Sequence, residues 1–137
     1  MAYYNKSKSD SWSTPTKIYN ELNNEFNFDD FDPCPLNDNP EINGLKLDWA
    51  PTTFVNPPYS KLKTTKKRGM GWVEKAHIEC KKNKTIVMLI PARVDTTWFH
   101  EIILANNYEV RFIKGRLKFG ESKDSAPFPS MIVIFKN

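Results

Sequence analysis

The sequence is poor in the residues that mark several common kinds of site. Its 137 residues include only two histidines and two cysteines, Cys34 and Cys80, and these show no metal-ligand spacing and no disulfide framework. No apolar run is long enough to cross a bilayer, and residues 1–11 lack the apolar centre of a signal peptide. We therefore expect reduced thiols, no metal, no membrane association and a cytoplasmic protein.

Glycine is also scarce. The five glycines stand at positions 44, 69, 71, 115 and 120, and they form no G-x-G-x-x-G turn after a predicted strand. Many nucleotide-cofactor domains use that turn to bring the backbone close to the ligand. A cofactor pocket in this chain must therefore be built from other residues.

Positive charge is present and is concentrated in one stretch. The formal net charge is +4 at pH 7, which is weak evidence by itself for a polyanionic partner. Between positions 61 and 68 the basic residues are Lys61, Lys63, Lys66, Lys67 and Arg68. A solvated loop and a phosphate-contacting segment are equally good interpretations of this run.

The apolar periodicity predicts one α/β domain over residues 12–137, preceded by a mobile segment, 1–11. Helices are expected from Pro15 to Phe26 with Thr14 as N-cap, over 70–82, and from Asp95 or Thr96 to about Ala105. Strands are expected at 26–32, 52–56, 84–91, 108–113, 115–120 and 130–135. The order predicts a mainly parallel sheet with helices on both faces and a C-terminal antiparallel strand pair.

Ligands of such sheets bind at the carboxyl ends of the strands, where Asp32, Asn56 and Pro91 are expected to lie. The most unusual of these ends is the stretch FVNPPYS, residues 54–60. The carboxamide oxygen of Asn56 is one hydrogen-bond acceptor. The main-chain carbonyl of Pro57 is a second, since Pro58 restricts Pro57 to an extended conformation and fixes the direction of its oxygen.

Two such acceptors suit the exocyclic amine of a nucleobase, whose lone pair is delocalised into the ring. Acceptors that grip both amine hydrogens favour a tetrahedral nitrogen and localise the lone pair on it. Tyr59 can stack on the base, which is worth about 1–3 kcal/mol. A base within a duplex is unreachable, so the target must be flipped out or single-stranded.

The motif NPPY, at the end of a strand, resembles the catalytic motif of S-adenosylmethionine-dependent amino-methyltransferases. WSTP at 12–15 resembles their N-terminal cofactor-binding segment, FDPCP at 31–35 their acidic first motif, and LDW at 47–49 the site of an aspartate that binds the cofactor adenine. With LIPARVDTTWFH, RFIKGRLKFG and APFPSMIVIF downstream, nearly the whole chain is similar to phage-type DNA N-6-adenine-methyltransferases.

The resemblance implies a trimmed, Rossmann-like three-layer αβα sandwich that binds S-adenosylmethionine and acts on DNA in a bacterial or phage-infected cell. It implies that Asp32 binds the methionine ammonium group or a water beside it, and that Asp48 accepts the adenine amino group. The cofactor-binding candidates are Trp12, Thr14, Pro15, Asp32, Pro33, Cys34, Asp48 and Asn56. The catalytic candidates are Asn56, Pro57, Pro58 and Tyr59.

DNA recognition by so small a chain must come from short segments. Beyond the basic run, the candidates for DNA contact are Arg93, Arg116 and Lys118, and Phe128 is a candidate second aromatic face for the base. A salt bridge with Asp95 is an equally good interpretation of Arg93. The sequence leaves open other amine substrates, such as cytosine N4 or RNA adenine, and a non-catalytic DNA-binding protein of the same fold. It does not indicate the oligomeric state.

Overall fold

A computed structural model describes residues 13–35, 43–120 and 124–137. Three helical segments are present: α1 (Thr16–Phe26), α2 (Trp72–Cys80) and a π-helix (Phe99–Leu104). Four strands follow the order β1 (Thr52–Val55), β2 (Thr85–Pro91), β3 (Glu109–Phe112) and β4 (Ser130–Lys136). A short 3₁₀ turn, Tyr59–Lys61, lies between β1 and α2. The chain is thus a mixed α/β protein, as the sequence predicts.

The four strands form one sheet in the order β1-β2-β4-β3. β1 pairs with β2 in parallel, whereas β4 pairs antiparallel with both β2 and β3. The prediction of a mainly parallel sheet is therefore wrong, because β4 inserts between β2 and β3 and makes two of the three pairings antiparallel. The last two strands of the structure, β3 and β4, pair antiparallel, but the strand predicted at 115–120 is not one of them.

The two central strands form the core. Residues 86–90 of β2 and 131–135 of β4 are all buried, as their continuous apolar sequences predict for strands covered on both faces. Phe54 packs edge-to-face against Tyr19 of α1. On the opposite face Phe135 contacts Tyr108, whose hydroxyl lies 3.1 Å from Cys80 Sγ in α2. Since Phe54 and Phe135 lie one register position apart, the alternation of side chains places α1 and α2 on opposite faces.

Two predicted strands are absent. At 26–32, Asn27 adopts a left-handed conformation (φ 57°) that ends α1, and Asp29 alone pairs with the edge of β1. At 115–120, Gly115 has φ 80°, and Leu117 and Gly120 form backbone hydrogen bonds with residues outside the sheet, Ala126 and Ser13. Both stretches have alternating apolar residues, but neither forms a ladder with a neighbouring strand.

The predicted helix near 95–105 forms with a different hydrogen-bond pattern. Thr96 Oγ1 accepts the backbone N–H of Phe99 at 3.3 Å, but the N-cap of the π-helix is Trp98, which has no side-chain cap, so the prediction of Asp95 or Thr96 as the cap is not confirmed. The backbone N–H of Ala105 donates to the carbonyl of His100, five residues earlier, as in a π-helix. Within the described ranges, no helix has the length and apolar character needed to cross a membrane.

Candidate active site

The site lies where the parallel strands β1 and β2 end together. Val55, the last residue of β1, is in register with Met88, so the NPPY segment emerges beside the final residues of β2. Arg93, just past β2, donates from Nη1 to the carbonyl oxygen of Tyr59 at 3.3 Å. The expected convergence at this end of the sheet is therefore present for Asn56 and Pro91.

The Asn56 carboxamide is held on both sides. Its Nδ2 donates to Thr14 Oγ1 at 3.0 Å, and its Oδ1 accepts the Tyr59 hydroxyl at 2.7 Å. The sequence predicts Thr14 as the cap of α1, but Pro15 occupies the N-cap position and the Thr14 hydroxyl is directed to Asn56 instead. The prediction for the helix cap is therefore wrong, because a contact between distant residues takes the hydroxyl.

Tyr59 belongs to a cluster of three aromatic rings, with Phe119 and Phe128, which we call the aromatic cluster. Its ring is 3% exposed and meets Phe119 and Phe128 edge-on, at centroid distances of 6.3 and 5.7 Å. Burial raises the pKa of the Tyr59 hydroxyl well above its usual range, and the nearby Cys34 raises it further, against a smaller lowering by Arg93. The hydroxyl therefore remains a hydrogen-bond donor across the physiological pH range.

A cleft of about 530 Å³ lies beside Asn56, on the side of Thr14. Aromatic and acidic residues dominate its walls, which are formed by Thr14, Thr16, Tyr19, Phe28, Asp29, Asp30, Phe31, Asp32 and Phe54. The Asp32 residue is exposed, yet desolvation by the cleft walls raises the pKa of its carboxyl. The hydrogen bond from the Cys34 backbone N–H to Oδ1, at 2.9 Å, partly opposes that effect.

The structure brings some of the predicted cofactor-binding residues together and separates others. Thr14 and Asp32 line the cleft, and Pro15 and Cys34 lie close to these two residues in the chain. Pro33 is buried, and its carbonyl lies so close to Gly44 that a Cβ there would be only 2.0 Å from the oxygen. Trp12 lies outside the described residues.

Asp48 is at the other end of the sheet. Its carboxylate accepts a hydrogen bond from Lys82 Nζ at 2.7 Å and lies 3.6 Å from Lys84 Nζ, just before β2 begins. The hydrogen bond from Lys82 lowers the pKa of Asp48. The structure thus does not place Asp48 among the residues that line the cleft, whose only strand residue among those described is Phe54 of β1.

Two acidic residues of the cleft, Asp29 and Asp30, were not identified from the sequence. Asp29 Oδ2 accepts the backbone N–H of Thr52 at 2.8 Å, while Asp30 is an exposed lining residue. The signal was available in FNFDDFD, whose aromatic residues alternate with carboxylates. The prediction of a strand there concealed it, since a strand would direct these side chains to alternate faces.

Comparison with known protein families and sequences gives matches over most of the chain. A family model described as DNA N-6-adenine-methyltransferase (Dam) matches residues 2–137. The chain belongs to this family. It is 31% identical over 149 aligned positions to the DNA N-6-adenine-methyltransferase of Haemophilus phage HP1, covering 96% of this chain and 81% of that protein. It is 33% identical over 102 positions to the protein of the same name from Escherichia phage T1, covering 67% and 40% of the two chains. No solved structure gives a significant match.

In this member of the Dam family, the basic run forms a turn next to the NPPY motif. Backbone hydrogen bonds join Thr65 and Gly69 in both directions, at 3.0 and 2.8 Å, and Gly69 has φ 91°. Arg68 Nη1 donates to the carbonyl of Ser60 at 2.6 Å, so this guanidinium holds the turn against the residue that follows Tyr59. All five basic residues of the run are exposed.

The remaining DNA-contact candidates have different positions. Arg93 donates to the Tyr59 carbonyl, a contact that neither interpretation of its sequence anticipated. Arg116 and Lys118 are exposed on the segment that leads to Phe119 of the aromatic cluster. Among the residues with described positions, no group of three or more histidine, cysteine, aspartate or glutamate side chains could hold a metal ion.

Proposed function

We propose that this protein transfers the methyl group of S-adenosylmethionine to the N6 amine of adenine in DNA, and that NPPY is its catalytic motif. The observation that carries the proposal is the position of Asn56. Its carboxamide lies between the acidic, aromatic cleft and the aromatic cluster, with Thr14 on one side and Tyr59 on the other. The two phage relatives, both named DNA N-6-adenine-methyltransferase, support adenine N6 as the acceptor.

Asn56 and Pro57 activate the amine. A carboxamide oxygen has two lone pairs, so Asn56 Oδ1 can accept a substrate N–H beside, or in exchange for, the Tyr59 hydroxyl. The Pro57 carbonyl accepts the second N–H. The next carbonyl, that of Pro58, already accepts the backbone N–H of Lys61 at 3.1 Å, within the turn that fixes the motif. These acceptors act by position and polarity and form no covalent bond to the base.

The residues of the cleft fit S-adenosylmethionine. The volume of about 530 Å³ suits a ligand of this size, and the walls combine aromatic rings with carboxylates. Asp32 and Asp30 would bind the ammonium group or the ribose hydroxyls, and Tyr19, Phe28 and Phe54 offer apolar surface. When bound, the cofactor would supply an electrophilic methyl group: its carbon–sulfur bond would break as the carbon–nitrogen bond forms, and the methylated nitrogen would then release a proton to water.

Binding of the base requires movement within the aromatic cluster. Tyr59 is only 3% exposed, because the rings of Phe119 and Phe128 lie against its edges. We propose that a flipped or single-stranded adenine displaces one of these rings and stacks on Tyr59. Phe128 is half-buried whereas Phe119 is buried, so displacing Phe128 exposes less apolar surface to water.

The DNA backbone is proposed to contact the basic turn. Lys61, Lys63, Lys66 and Lys67 are exposed just past the motif, where phosphate contacts would position the duplex around the site. The Arg68 guanidinium, which already binds the Ser60 carbonyl, would act chiefly by holding that turn in place. The positions of α1 and α2 on opposite faces of the sheet support the Rossmann-like, three-layer arrangement as part of the same proposal.

The test is methyl transfer by an Asn56→Ala variant. Purified protein is expected to transfer labelled methyl from S-adenosylmethionine to adenine-containing DNA. Asn56→Ala should abolish transfer while circular dichroism and DNA binding are retained. Asn106→Ala is the matched control, since Asn106 is exposed and its amide donates to Ile102 in the π-helix.

Two results would contradict the proposal. Methyl transfer by Asn56→Ala at the native rate would show that the Asn56 carboxamide does not activate the amine. Absence of label in every DNA, together with no cofactor binding by calorimetry, would mean that the chain is not a methyltransferase. Mapping of the modified base separates adenine N6 from cytosine N4 in the same sample.

A further inference from the structure

The two edges of the sheet are different. At the β1 edge, Asp29 donates its backbone N–H to the Thr52 carbonyl and accepts the Thr52 N–H through its carboxylate. This contact blocks addition of another strand there. At the other edge, no strand within the described residues pairs with the outer side of β3. An edge strand without such protection is a template for pairing with another chain.

The hydrogen-bond phase of β3 shows which of its backbone groups face outward. Ile113 donates its N–H to the carbonyl of Ser130, the residue directly opposite it. Residues opposite each other in an antiparallel pair alternate between bonded and non-bonded positions. Glu109 and Arg111 therefore bond to β4, while the N–H and C=O groups of Val110 and Phe112 point away from the sheet.

The side chains of β3 also alternate. Glu109 and Arg111 share the face of α1, where Arg111 binds both carboxylate oxygens of Glu25 at 2.7 Å. Val110 and Phe112 share the opposite face, and Phe112 is 63% exposed. The edge thus combines outward backbone groups, one polar row with both signs of charge, and one apolar row.

We propose that β3 pairs with β3 of a second copy of this chain, in antiparallel orientation about a twofold axis at Val110. The two Val110 residues exchange backbone hydrogen bonds with each other. Phe112 lies opposite Tyr108 of the partner subunit, which pairs two aromatic residues on the same face. Because the Tyr108 N–H already donates to the carbonyl of Ile103 in its own chain at 3.2 Å, only the Phe112 N–H donates a backbone hydrogen bond in that pair. Glu109 lies opposite Arg111 of the partner subunit, so the interface contains two such ion pairs related by symmetry.

The charges select this register over the neighbouring one. Residues directly opposite each other in paired strands have their side chains on the same face of the sheet. Since the faces alternate along β3, the twofold axis must pass through a residue and not between two residues. An axis at Arg111 would place the two guanidinium groups directly opposite each other in a closely spaced position, which is destabilising. With the axis at Val110, Glu109 can use the carboxylate oxygen that is not bonded to its own Arg111.

The pairing leaves the active sites independent. β1, β2 and β3 run in the same direction, so antiparallel pairing of the two β3 strands places the two sites at opposite ends of a continuous eight-stranded sheet. No residue of β3 lines the cleft or belongs to the aromatic cluster. Self-association through β3 is therefore independent of the proposed methyl transfer. A monomeric protein could still be active, and an inactive protein could still form the dimer.

Sedimentation equilibrium tests the association. The native chain should show a mass that rises with concentration from 15.9 kDa toward twice that value. Glu109→Arg and Arg111→Glu should each weaken self-association at least tenfold, because each places like charges opposite each other. An equimolar mixture of the two variants should associate again, since every facing pair of positions 109 and 111 then carries opposite charges. Glu21→Arg and Lys81→Glu are matched charge reversals on exposed residues outside β3, expected to behave as native.

A cysteine at the axis tests the register. In a bonded antiparallel pair the Cα atoms lie about 5.5 Å apart, which suits a disulfide. Val110→Cys should therefore form a covalent dimer on mild oxidation, while the native chain with Cys34 and Cys80 should not. Since Arg111 also anchors α1, thermal melting shows whether Arg111→Glu remains folded. A native mass of 15.9 kDa at every concentration, or a dimer that neither the charge reversals nor Val110→Cys affects, would overturn the proposal.

Discussion

Replacing Tyr59 by phenylalanine separates two roles that one residue can have in this site. If Tyr59 only stacks on the base, the ring is sufficient and the variant retains full activity. If its hydroxyl also orients Asn56, through the 2.7 Å hydrogen bond to Oδ1, the variant keeps the ring and loses the orientation. The raised pKa of Tyr59 means that the native hydroxyl remains protonated, so the comparison holds across the working pH range.

The size of the effect follows from that one bond. A neutral hydrogen bond contributes about 0.5–1.5 kcal/mol net. If the bond serves to keep the carboxamide in its productive orientation, its loss lowers kcat by about twofold to tenfold, since about 1.4 kcal/mol corresponds to a factor of ten. The KM for DNA is expected to remain unchanged, because the stacking surface is intact. Tyr59→Ala should lower activity further, because it also removes about 1–3 kcal/mol of stacking free energy between the ring and the base.

The assay is steady-state methyl transfer at saturating cofactor with the DNA concentration varied, which gives both kcat and the KM for DNA. Tyr108→Phe is a matched control, because Tyr108 is also buried and its hydroxyl bonds to His77 Nδ1 at 2.6 Å away from the site. Thr14→Val removes the partner on the other side of the carboxamide and should give a similar decrease. A native kcat for Tyr59→Phe, with its thermal stability lowered as much as that of Tyr108→Phe, would refute the orienting role.

Four further predictions concern the cleft, the basic turn and the fold. Asp32→Asn should weaken S-adenosylmethionine binding at least tenfold by calorimetry while DNA binding is retained, and equal affinity would exclude Asp32 from the cofactor site. Neutralising Lys66 and Lys67 should reduce the salt dependence of DNA binding by about two in slope. Arg68→Ala should instead lower kcat, with partial recovery in Arg68→Lys, and the reverse pattern would assign Arg68 to phosphate. Glu79 is fully buried, and although burial raises its pKa, hydrogen bonds from three lysines and the Trp49 N–H bring it to about 2. As pH falls, Glu79 is protonated in the unfolded chain before it is protonated in the folded protein. The free energy of unfolding therefore decreases by roughly 3 kcal/mol between pH 4.5 and 2. Denaturant titrations of the native chain and Glu79→Gln should differ in this pH dependence.

The hydrogen bonds around Glu79 explain why a buried carboxylate is tolerated at this position. Glu79 accepts hydrogen bonds from Lys75, Lys82 and Lys84 and from the backbone N–H of Trp49. It therefore joins α2 to the segments that lead into β1 and β2. A buried carboxylate with this many donors has its desolvation cost offset, whereas removal of the carboxylate takes the buried acid away from Lys75 and leaves Lys82 and Lys84 to the exposed Asp48.

The sequence determined those features that depend on neighbouring residues. The apolar stretch at 84–91 predicts β2, and the spacing of Trp72, Val73, Ala76 and Cys80 predicts α2, because periodicity records which face of an element is buried. The NPPY motif and the order of the flanking segments were sufficient to indicate the family. The position of Asn56 at a strand end also followed, since prolines end a strand locally.

Tertiary structure decided what depends on residues far apart in the chain. Thr14 bonds to Asn56 across 42 positions instead of capping its own helix. β4 inserts between β2 and β3, which no local pattern specifies, because an apolar strand can pair in either direction. Asp32 lies in the cleft and Asp48 at the opposite end of the sheet, although both are acidic residues in sequences typical of turns. Their different environments arise because burial and charge pairing are properties of the folded surface and are not fixed by spacing along the chain.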